Sequence, residues 1–423
     1  MVRGCFPVTV FISPSHSTPH TNHMMNQEAL PLAGIRVLDL SRVLAGPYCA
    51  MLLSMMGAEV IKIEDASGDE SRAWPPMNAD LSGSFLGMNL NKRGIVINLK
   101  EPEGAELVKA MAANSDVLVE NFKTGTMERF GLDYQALRGV NPRLVYTSIS
   151  AFGREGPRAS DPGYEALMQA FTGVMEITGF PDGDPARCGV SFLDMATGIN
   201  SALATVSALY QRERTGEGCR VDASLLQTAL GLMTSQVSNF YQHGSLQKRI
   251  GTAHPSVVPY QAFPTADGSI FVAAANQNLW ERMCRGLGTT HLLQDARFGS
   301  NPERVKHREV LLAELKAAFG AKPTDELMRA LKAEGVPCAP VNTLDKVLGD
   351  GQVEAIRAVA SVDDPVYGRL SFANLPFHFN GKPGQVTARA PLLGEHTRTL
   401  LEQMGMAPDD IQSYLERGIV HGK

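Results

Sequence analysis

IRVLDLSRVLAGPYCAMLLSMMGAEVIKIE (residues 35–64) contains two short runs rich in Val, Ile and Leu on either side of a helix-forming segment. We interpret 35–41 as a buried strand, 46–57 as a helix and 58–64 as a second buried strand. Three further strand patterns follow, with helical segments between them: GIVINL (94–99), DVLVENF (116–122) and LVYTSIS (144–150). This alternation predicts an α/β fold with a parallel, doubly wound sheet, whose ligand lies beyond the carboxyl ends of the strands.

The remainder of the chain changes pattern near residue 251. Before that point, helices are predicted at 164–176, 192–213 and 225–243, with the strand CRVDASL (219–225) between the last two. After it, a strand, an Asp-Gly turn, a second strand and charged helices predict a smaller α+β domain. The predicted units are an N-terminal extension (1–30), a Rossmann-like large domain (31–245 plus 345–423), a small domain (255–340) and linkers (246–254 and 341–370).

The composition is that of an ordinary globular protein. Hydrophobic residues make up 44% and charged residues 20% of the 423 residues, and the net charge is -5, which gives no reason to expect a nucleic-acid partner. The six cysteines form no CxxC pairs, which argues against zinc and favours reduced thiols in a reducing compartment. No uninterrupted apolar run reaches the ~18 residues of a membrane span.

The first 28 residues differ from the rest. They are rich in Ser, Thr, His and Pro and contain no acid before Glu28. We interpret them as a disordered extension upstream of a start at Met24 or Met25, which goes with a cytoplasmic protein. The alternative is a mitochondrial transit peptide, although Arg3 is its one arginine.

Asp194 stands at the head of an otherwise apolar and small-residue helix, in SFLDMATG. One interpretation is structural, because Ser191 three residues earlier makes a capping-box-like pattern and an acid suits the first turn of a helix. The other is chemical. Gly198, Thr197 and Ser201 leave little bulk beside the acid, so a large ligand could approach, and the helix dipole would keep a nucleophilic carboxylate ionised.

Phosphate-binding motifs of the GxGxxG or P-loop kind are missing from the sequence. A phosphate-bearing ligand would therefore be held by helix N-termini and separate side chains. The candidates that follow predicted strands are Lys92, Arg93, Lys100, Asn121, Phe122 and Arg129. For each cation the alternative is an ordinary solvated surface charge.

Other polar residues give weaker signals. Tyr164 and Glu165 open a helix after a Pro-Gly loop, where they suit either an active site or simple capping and packing. His254 and His396 lie in loop-like sequence and suggest neither a triad nor a metal site. No G-x-S-x-G elbow supports a serine hydrolase.

Several separated motifs together resemble the family III CoA-transferases (the CaiB/BaiF family), which include formyl-CoA transferase, carnitine CoA-transferase and α-methylacyl-CoA racemase. The resemblance runs from about Pro31 to the C-terminus. The motifs are 32–64, NLNKRGIVINLK (89–100), DVLVENF (116–122), RTGEGCRVDASL (214–225) and PLLGEHT (391–397). KRIGTAHPSVVPYQAF (248–263) is most similar to the succinyl-CoA:glutarate branch.

This resemblance implies roles for individual residues. Asp194 falls on the family's catalytic aspartate, and Tyr164 and Glu165 match the formyl-CoA transferase branch rather than the His and Asp of the racemases. The positions that fall on CoA contacts are Ile97, Lys100, Asn121, Phe122, Arg129, Arg72 and Ala45. Asp65 replaces a basic residue and Leu44 a glutamine of formyl-CoA transferase, and the glycine-rich lid is missing, so formyl or oxalyl specificity is not expected.

The resemblance also implies a mechanism and an assembly. CoA would pass from an acyl-CoA, succinyl-CoA in the expected case, to a dicarboxylate such as glutarate through mixed-anhydride and aspartyl-CoA thioester intermediates, without metal or ATP. Arg249 or Arg72 would hold the distal carboxylate of the acceptor. The protein would be an interlocked homodimer with no tightly bound cofactor. The alternatives are an acyl-CoA racemase or isomerase of the same fold, or a non-catalytic CoA-binding protein.

Overall fold

The computed structural model describes residues 30–422, so the predicted N-terminal extension lies outside the described residues except for Leu30. In the first part of the chain, the strands are β1 (Arg36–Asp39), β2 (Glu59–Glu64), β3 (Met77–Asn78), β4 (Leu81–Ser82), β5 (Lys92–Ile97), β6 (Val117–Glu120), β7 (Val145–Ser150) and β8 (Arg220–Ser224). The helices of this part are α1 (Ala45–Met55), α2 (Gly83–Leu86), α3 (Pro102–Ala113), α4 (Thr126–Arg129), α5 (Tyr134–Val140), α6 (Glu165–Phe171), α7 (Val174–Ile177), α8 (Phe192–Thr215), α9 (Leu225–Leu232) and α10 (Thr234–His243).

A second, smaller group of elements follows. It comprises β9 (Tyr260–Pro264), β10 (Ser269–Ala273), α11 (Gln277–Leu287), α12 (Asn301–Lys306), α13 (Arg308–Gly320), α14 (Thr324–Ala333) and β11 (Cys338–Pro340). The chain ends with α15 (Leu344–Leu348), α16 (Gly351–Ala355), β12 (Val359–Asp364), β13 (Gly368–Ala373), β14 (His378–Phe379), β15 (Lys382–Pro383), α17 (Thr397–Gln403), α18 (Pro408–Glu416) and β16 (Val420–His421).

The central sheet has seven strands in the order β16-β5-β2-β1-β6-β7-β8. All neighbours from β5 to β8 are parallel, and β16 is antiparallel to β5 at one edge. Alternate residues of the strands face two different hydrophobic cores, as Val37 and Leu38 do on β1. The prediction of an α/β fold around a mostly parallel sheet is therefore confirmed.

The strand order reverses direction beside β1. The chain passes from β1 to β2 on one side, whereas β6 pairs with β1 on the other. Such a reversal leaves a crevice beyond the carboxyl ends of the two strands, and this is where ligands bind in open α/β sheets. The topology therefore points to the loops after β1 and β6.

Residues 258–336 form a separate hydrophobic core around the three-stranded sheet of β9, β10 and β11. Asp267 and Gly268 turn the chain between β9 and β10, as the sequence predicted. Phe263 stacks on Phe319 at a centroid distance of 4.4 Å, which ties this sheet to α13.

Helix α8 packs against α1, and a small residue of α8, Gly198, lies at this contact. A Cβ added to Gly198 would lie 2.8 Å from the carbonyl oxygen of Ala45 and 3.0 Å from Cδ1 of Tyr48. The small residue at 198 therefore makes room for α1 rather than for a ligand. By length and composition α8 could cross a membrane, with a mean hydropathy of 1.2 over 18 residues, but half of that window is buried inside the protein.

Some predicted elements differ from those in the structure. The helix expected at 164–176 is interrupted at Gly173, whose φ of +84° ends one helical run before the next begins. The helix expected at 225–243 is interrupted at Met233. Lys92 and Arg93 open β5 rather than follow a strand, so their proposed place at the phosphate-binding edge is wrong.

Candidate active site

A cavity of about 370 Å³ lies where the topology predicts a ligand. The segments after β1, β6 and β7 form part of its wall, and the N-terminal ends of α6 and α8 contribute Glu165 and Asp194. Of the residues singled out in the sequence, it brings together Ala45, Asn121, Phe122, Tyr164, Glu165 and Asp194. Segments far apart in the chain thus meet at one end of the sheet.

Asp194 is the third residue of α8 and is 9% exposed. Burial, and then the negative charge of Glu165, raise the pKa of its carboxyl to about 7. The helix dipole, which was expected to keep this carboxylate ionised, therefore does not offset the effects of burial and of Glu165 on its pKa. The capping-box interpretation is wrong, because the Ser191 side chain makes no capping hydrogen bond to the helix.

Glu165 lies beside Asp194 as the first residue of α6. Its Oε1 accepts a hydrogen bond of 2.6 Å from Nε2 of Gln169, whereas its buried Oε2 has no hydrogen-bond partner. Nε of Arg187 lies 3.7 Å from Oε2, too far for a hydrogen bond but close enough for electrostatic attraction. Tyr164 precedes the helix and is 62% exposed at the cavity wall.

The loop between β1 and α1 is strained and firmly held. Val43 has a φ of +70°, a left-handed conformation that is rare for a β-branched residue. Its N–H donates to the Asp69 carboxylate at 3.1 Å. Asn121 holds the neighbouring residue, Arg42, since its Oδ1 accepts from the Arg42 N–H and its Nδ2 donates to the Arg42 carbonyl, both at 2.8 Å.

This loop leads into α1, which begins at Ala45 on the cavity wall. The first N–H groups of a helix have no partner inside the helix. Asn121 therefore acts on the cavity through the backbone it holds, since both ends of its side-chain amide are already bonded. The resemblance alone implied a direct CoA contact at this position.

Two buried ion pairs also hold the loop between β1 and α1. Nζ of Lys92 donates to Asp39 at 2.7 Å and to the Pro47 carbonyl at 2.8 Å. Nζ of Lys62 donates to Asp69 at 3.1 Å and to the Ser41 carbonyl at 2.9 Å. Both lysines are fully buried, so their charges stabilise carboxylates and backbone rather than ligand phosphates.

A second cavity, of about 410 Å³, adjoins the first. It is lined by Ile97, Lys100 and Asp65, and it shares Arg42 and Phe122 with the first cavity. The Arg42 guanidinium lies over the Phe122 ring at 5.3 Å and pairs with Asp65 at 3.2 Å. The two shared residues therefore form the boundary between the cavities.

The other predicted cations line neither of these two cavities. Arg72 pairs with Glu64 at 2.6 Å and donates to the Pro391 carbonyl. Arg249 pairs with Glu176 at 2.8 Å. Arg129 is exposed and bonds Thr126. We therefore assign neither Arg72 nor Arg249 to the distal carboxylate of an acceptor.

Sequence reasoning missed Arg42, Lys123 and Arg154, which all line the first cavity. Arg42 and Lys123 each lie three residues after a strand end, at Asp39 of β1 and Glu120 of β6, as Lys100 does after β5, so the same rule could have located them. Arg154 is committed to Glu120 at 2.6 Å and to the Phe122 carbonyl at 2.7 Å. Within residues 30–422, no group of three or more His, Cys, Asp or Glu side chains is arranged to hold a metal ion.

Comparison with known proteins agrees with this geometry. The family model "CoA-transferase family III" matches residues 32–397. The succinyl-CoA:glutarate CoA-transferase of Mus musculus is 38% identical over 88% of this chain and 86% of its own. The succinate–glutarate CoA-transferase of Agrobacterium fabrum is 37% identical over 88% of this chain and 96% of its own. The crystal structure of a CaiB/BaiF family protein from Brucella suis has a TM-score of 0.82 and 36% identity, and it covers 89% of this chain and 100% of that one.

The chain therefore belongs to CoA-transferase family III. It is an enzyme whose substrates are CoA thioesters. The resemblance drawn from the separated sequence motifs is confirmed over almost the whole described chain.

Proposed function

We propose that this enzyme transfers CoA from succinyl-CoA to a dicarboxylic acid such as glutarate, with Asp194 as the nucleophile. The observation that carries the proposal is the position of Asp194, a buried carboxylate at a helix N-terminus in the cavity at the switch point of the sheet. The relatives named for succinyl-CoA and glutarate support the choice of substrates.

The first half of the reaction loads CoA onto the enzyme. A carboxylate oxygen of Asp194 attacks the thioester carbonyl of succinyl-CoA, the C–S bond breaks, and a mixed anhydride and free CoA thiolate form. The thiolate then attacks the aspartyl carbonyl of the anhydride, succinate leaves, and CoA is held as an aspartyl thioester. Each step forms one bond to a carbonyl carbon and breaks another, so no ATP is required.

The second half runs the same steps in reverse. A carboxylate oxygen of glutarate attacks the aspartyl thioester, CoA thiolate leaves, and a new anhydride joins Asp194 to the glutaryl group. The thiolate attacks the glutaryl carbonyl, which releases glutaryl-CoA and the free Asp194 carboxylate. Water would hydrolyse either anhydride, so the buried position of Asp194 favours transfer.

Negative charge develops on a carbonyl oxygen in each addition step. Ala45, the first residue of α1, lines the same cavity as Asp194, and its backbone N–H is suited to stabilise this oxyanion. The strained Val43 and the Asn121 clamp fix this donor in place. Preorganised donors of this kind typically contribute about 3 kcal/mol to the transition state.

The adjoining cavity is the proposed site of the nucleotide end of CoA. Lys100 and Arg42 supply positive charge there, and Ile97 and Phe122 supply apolar surface. The residues shared by the two cavities would border the pantetheine arm, which places the thiol near Asp194. Asp65 bonds Arg42 in the free protein, so binding of a phosphate to Arg42 would compete with this pair.

Arg187 is the proposed contact for the distal carboxylate of the acceptor. Like Arg72 and Arg249, it is outside the lining of both cavities. However, its half-exposed side chain bonds Ser191 weakly at 3.3 Å, and its Nε lies 3.7 Å from Oε2 of Glu165 on the wall of the first cavity. An arginine with unused donors suits bidentate recognition of a carboxylate. It replaces Arg72 and Arg249, whose guanidinium groups already bind internal carboxylates.

The surface points to a second copy of the chain. Helices α10, α15 and α16, all within the described range, bury none of their side chains. The exposed apolar residues around α8 to α10 are Ile199, Leu203, Tyr210, Leu230, Leu232, Phe240, Tyr241 and Leu246. Extended apolar surface of this kind usually marks a protein interface. We therefore propose a homodimer, interlocked as in the family, which light scattering of the purified protein tests.

A cytoplasmic location is also part of the proposal. The five cysteines of residues 30–422 are all free, in keeping with a reducing compartment. Fractionation of cells that express the chain with and without residues 1–23 tests it, since import into mitochondria that needs this segment would favour the matrix instead.

One experiment tests the function. Purified enzyme is incubated with succinyl-CoA and, separately, glutarate, oxalate, malate, mesaconate or itaconate, and new acyl-CoA products are measured by mass spectrometry. We expect glutaryl-CoA to form fastest, and hydroxylamine added with succinyl-CoA to modify Asp194. Exchange of the α-proton in deuterated water without CoA transfer would identify a racemase instead. CoA binding without product would identify a non-catalytic protein.

A further inference from the structure

We infer that Gln169 is a positioning residue of this active site, which holds one oxygen of Glu165 and leaves the other, Oε2, as the oxygen able to take up a proton or contact substrate. The inference rests on the proposed function, because it assigns a role within the same acid pair. Gln169 was not among the residues that the sequence suggested.

The geometry fixes the orientation of the Gln169 amide. Gln169 lies one turn after Glu165 on α6 and is 0% exposed. Its Oε1 accepts a hydrogen bond of 2.9 Å from the backbone N–H of Cys188. A backbone N–H can only donate, so the amide oxygen must face Cys188 and the NH₂ group must face Glu165.

This orientation determines where a proton on Glu165 can reside. The Gln169 NH₂ group donates to Oε1 of Glu165 at 2.6 Å, so Oε1 must act as an acceptor and carries no hydrogen. Oε2 is buried without a hydrogen-bond partner and is therefore the available oxygen. The charged groups that face Glu165 are Arg187, from the chain between α7 and α8, and Asp194, from α8.

The same amide also links two parts of the active site. Cys188 belongs to the segment that leads into α8, six residues before Asp194. Gln169 therefore ties α6, which carries Glu165, to the chain that carries Asp194. Gln169 therefore fixes the Glu165 carboxyl in place beside Asp194, where its negative charge contributes to the raised pKa of Asp194.

The test compares substitutions of similar size at Gln169. In Gln169→Leu the donor that holds the Glu165 carboxyl beside Asp194 is lost, so the charge of Glu165 is expected to act less strongly on Asp194. The acid limb of the pH profile of kcat/KM for CoA transfer is expected to move down by about half a pH unit or more. Gln169→Glu adds a charge and is expected to move the limb to higher pH. Gln261→Leu, at a buried glutamine of the small domain, serves as the matched control and leaves the profile unchanged.

A double substitution separates positioning from packing. If Gln169 acts through Glu165, then Glu165→Gln lowers the acid limb by itself and Glu165→Gln/Gln169→Leu gives no further shift. A Gln169→Leu enzyme that loses kcat at every pH with an unmoved profile would overturn the inference. The inference would also be overturned if the acid limb of the double variant moved by the sum of the shifts of the two single variants.

A second readout does not depend on turnover. The pH dependence of the free energy of unfolding reports proton uptake by the acid pair in any folded variant. It is expected to move with Gln169→Leu in the same direction as the kinetic profile. If no acid accepts CoA, the proposed function fails, and this measurement still decides whether Gln169 controls Glu165.

Discussion

The carbonyl oxygen of Ala45 lies so close to Gly198 that a Cβ built at position 198 would be 2.8 Å from it. Two helices that both contribute to the candidate active site therefore meet at a position that admits no side chain. Ala45 begins α1, and Asp194 lies one turn before Gly198 on α8. This contact sets the distance between the nucleophile and the Ala45 N–H proposed to stabilise the oxyanion.

Gly198→Ala is expected to lower both stability and activity. The new methyl group would meet backbone rather than a flexible side chain, so the helices must separate, at a cost of about 1–3 kcal/mol in the free energy of unfolding. A misplacement of about 1 Å can cost on the order of 100-fold in rate, so kcat/KM should fall by at least tenfold. Urea unfolding and steady-state kinetics measure the two effects. The control is Gly139→Ala on α5, where a Cβ would meet nothing within 4 Å, and which is expected to be neutral or slightly stabilising.

Asp194→Ala is expected to abolish transfer while CoA still binds. Removal of a nucleophile typically costs about three orders of magnitude or more in kcat. The proposed CoA contacts at Lys100, Arg42 and Phe122 remain intact in this variant. Product analysis and calorimetric titration with CoA measure the two properties, with the exposed Asp182→Ala as the control. Turnover within tenfold of the unsubstituted enzyme would exclude Asp194 as the nucleophile.

Asp194→Asn is expected to stabilise the protein above neutral pH and to leave its stability nearly unchanged in acid. The Asp194 pKa is about 7 in the folded protein and ~3.9 in an unfolded chain, so between these values the folded state binds more protons. The stabilisation by this proton is complete below about pH 4 and is lost as the pH rises to about 7. Each pKa unit corresponds to about 1.4 kcal/mol, so the variant should gain a few kcal/mol at pH 8.

Denaturant unfolding of Asp194→Asn at several pH values between 4.5 and 8 measures this gain. Asp182→Asn, at an exposed position, is the matched control and should follow the unsubstituted protein. Equal stability of Asp194→Asn and the unsubstituted protein at pH 8 would show that Asp194 is not held in an unfavourable environment.

The elements of the sheet could be predicted because their pattern is local. Residues 35–64 carry the strand, helix and strand within 30 positions, and the structure has β1, α1 and β2 there. The two-residue strand β16 was missed, since its pairing with β5 joins residues more than 300 positions apart. Breaks at Gly173 and Met233 depend on where neighbouring helices pack, which a helical pattern does not record.

The sequence was sufficient to identify the acidic residues of the candidate site, but it was less informative about which basic residues belong to it. A carboxylate at the start of an apolar helix is unusual in the sequence itself, and Asp194 was identified on that ground. Whether a lysine binds phosphate or a buried acid depends on partners elsewhere in the chain. Lys92 pairs with Asp39 from 53 residues away, and Arg249 pairs with Glu176 from 73 residues away. No sequence pattern indicates Gln169, because its proposed role depends on the hydrogen bond that its side chain accepts from the Cys188 N–H.

Lys92 and Asp39 form a fully buried ion pair under the β1–α1 loop, and Lys92→Met is expected to destabilise the protein strongly. The substitution leaves the Asp39 carboxylate without its hydrogen-bonded cation inside the protein. Removing one partner of a buried pair typically costs about 3–5 kcal/mol in the free energy of unfolding. Lys109→Met, which breaks a surface pair with Glu106, is the control and should cost less than about 1 kcal/mol.

The double variant Lys92→Met/Asp39→Asn tests whether the loss comes from the stranded charge. Replacing both partners removes the unpaired charge, so the double variant should lose less stability than the sum of the two single variants. Asp39 also accepts hydrogen bonds from the backbone and hydroxyl of Ser41, so the single variants should in addition lower kcat/KM by disturbing the loop that leads to Ala45. Strict additivity of the two losses, measured by urea unfolding, would mean that the pair does not stabilise this loop through its charge.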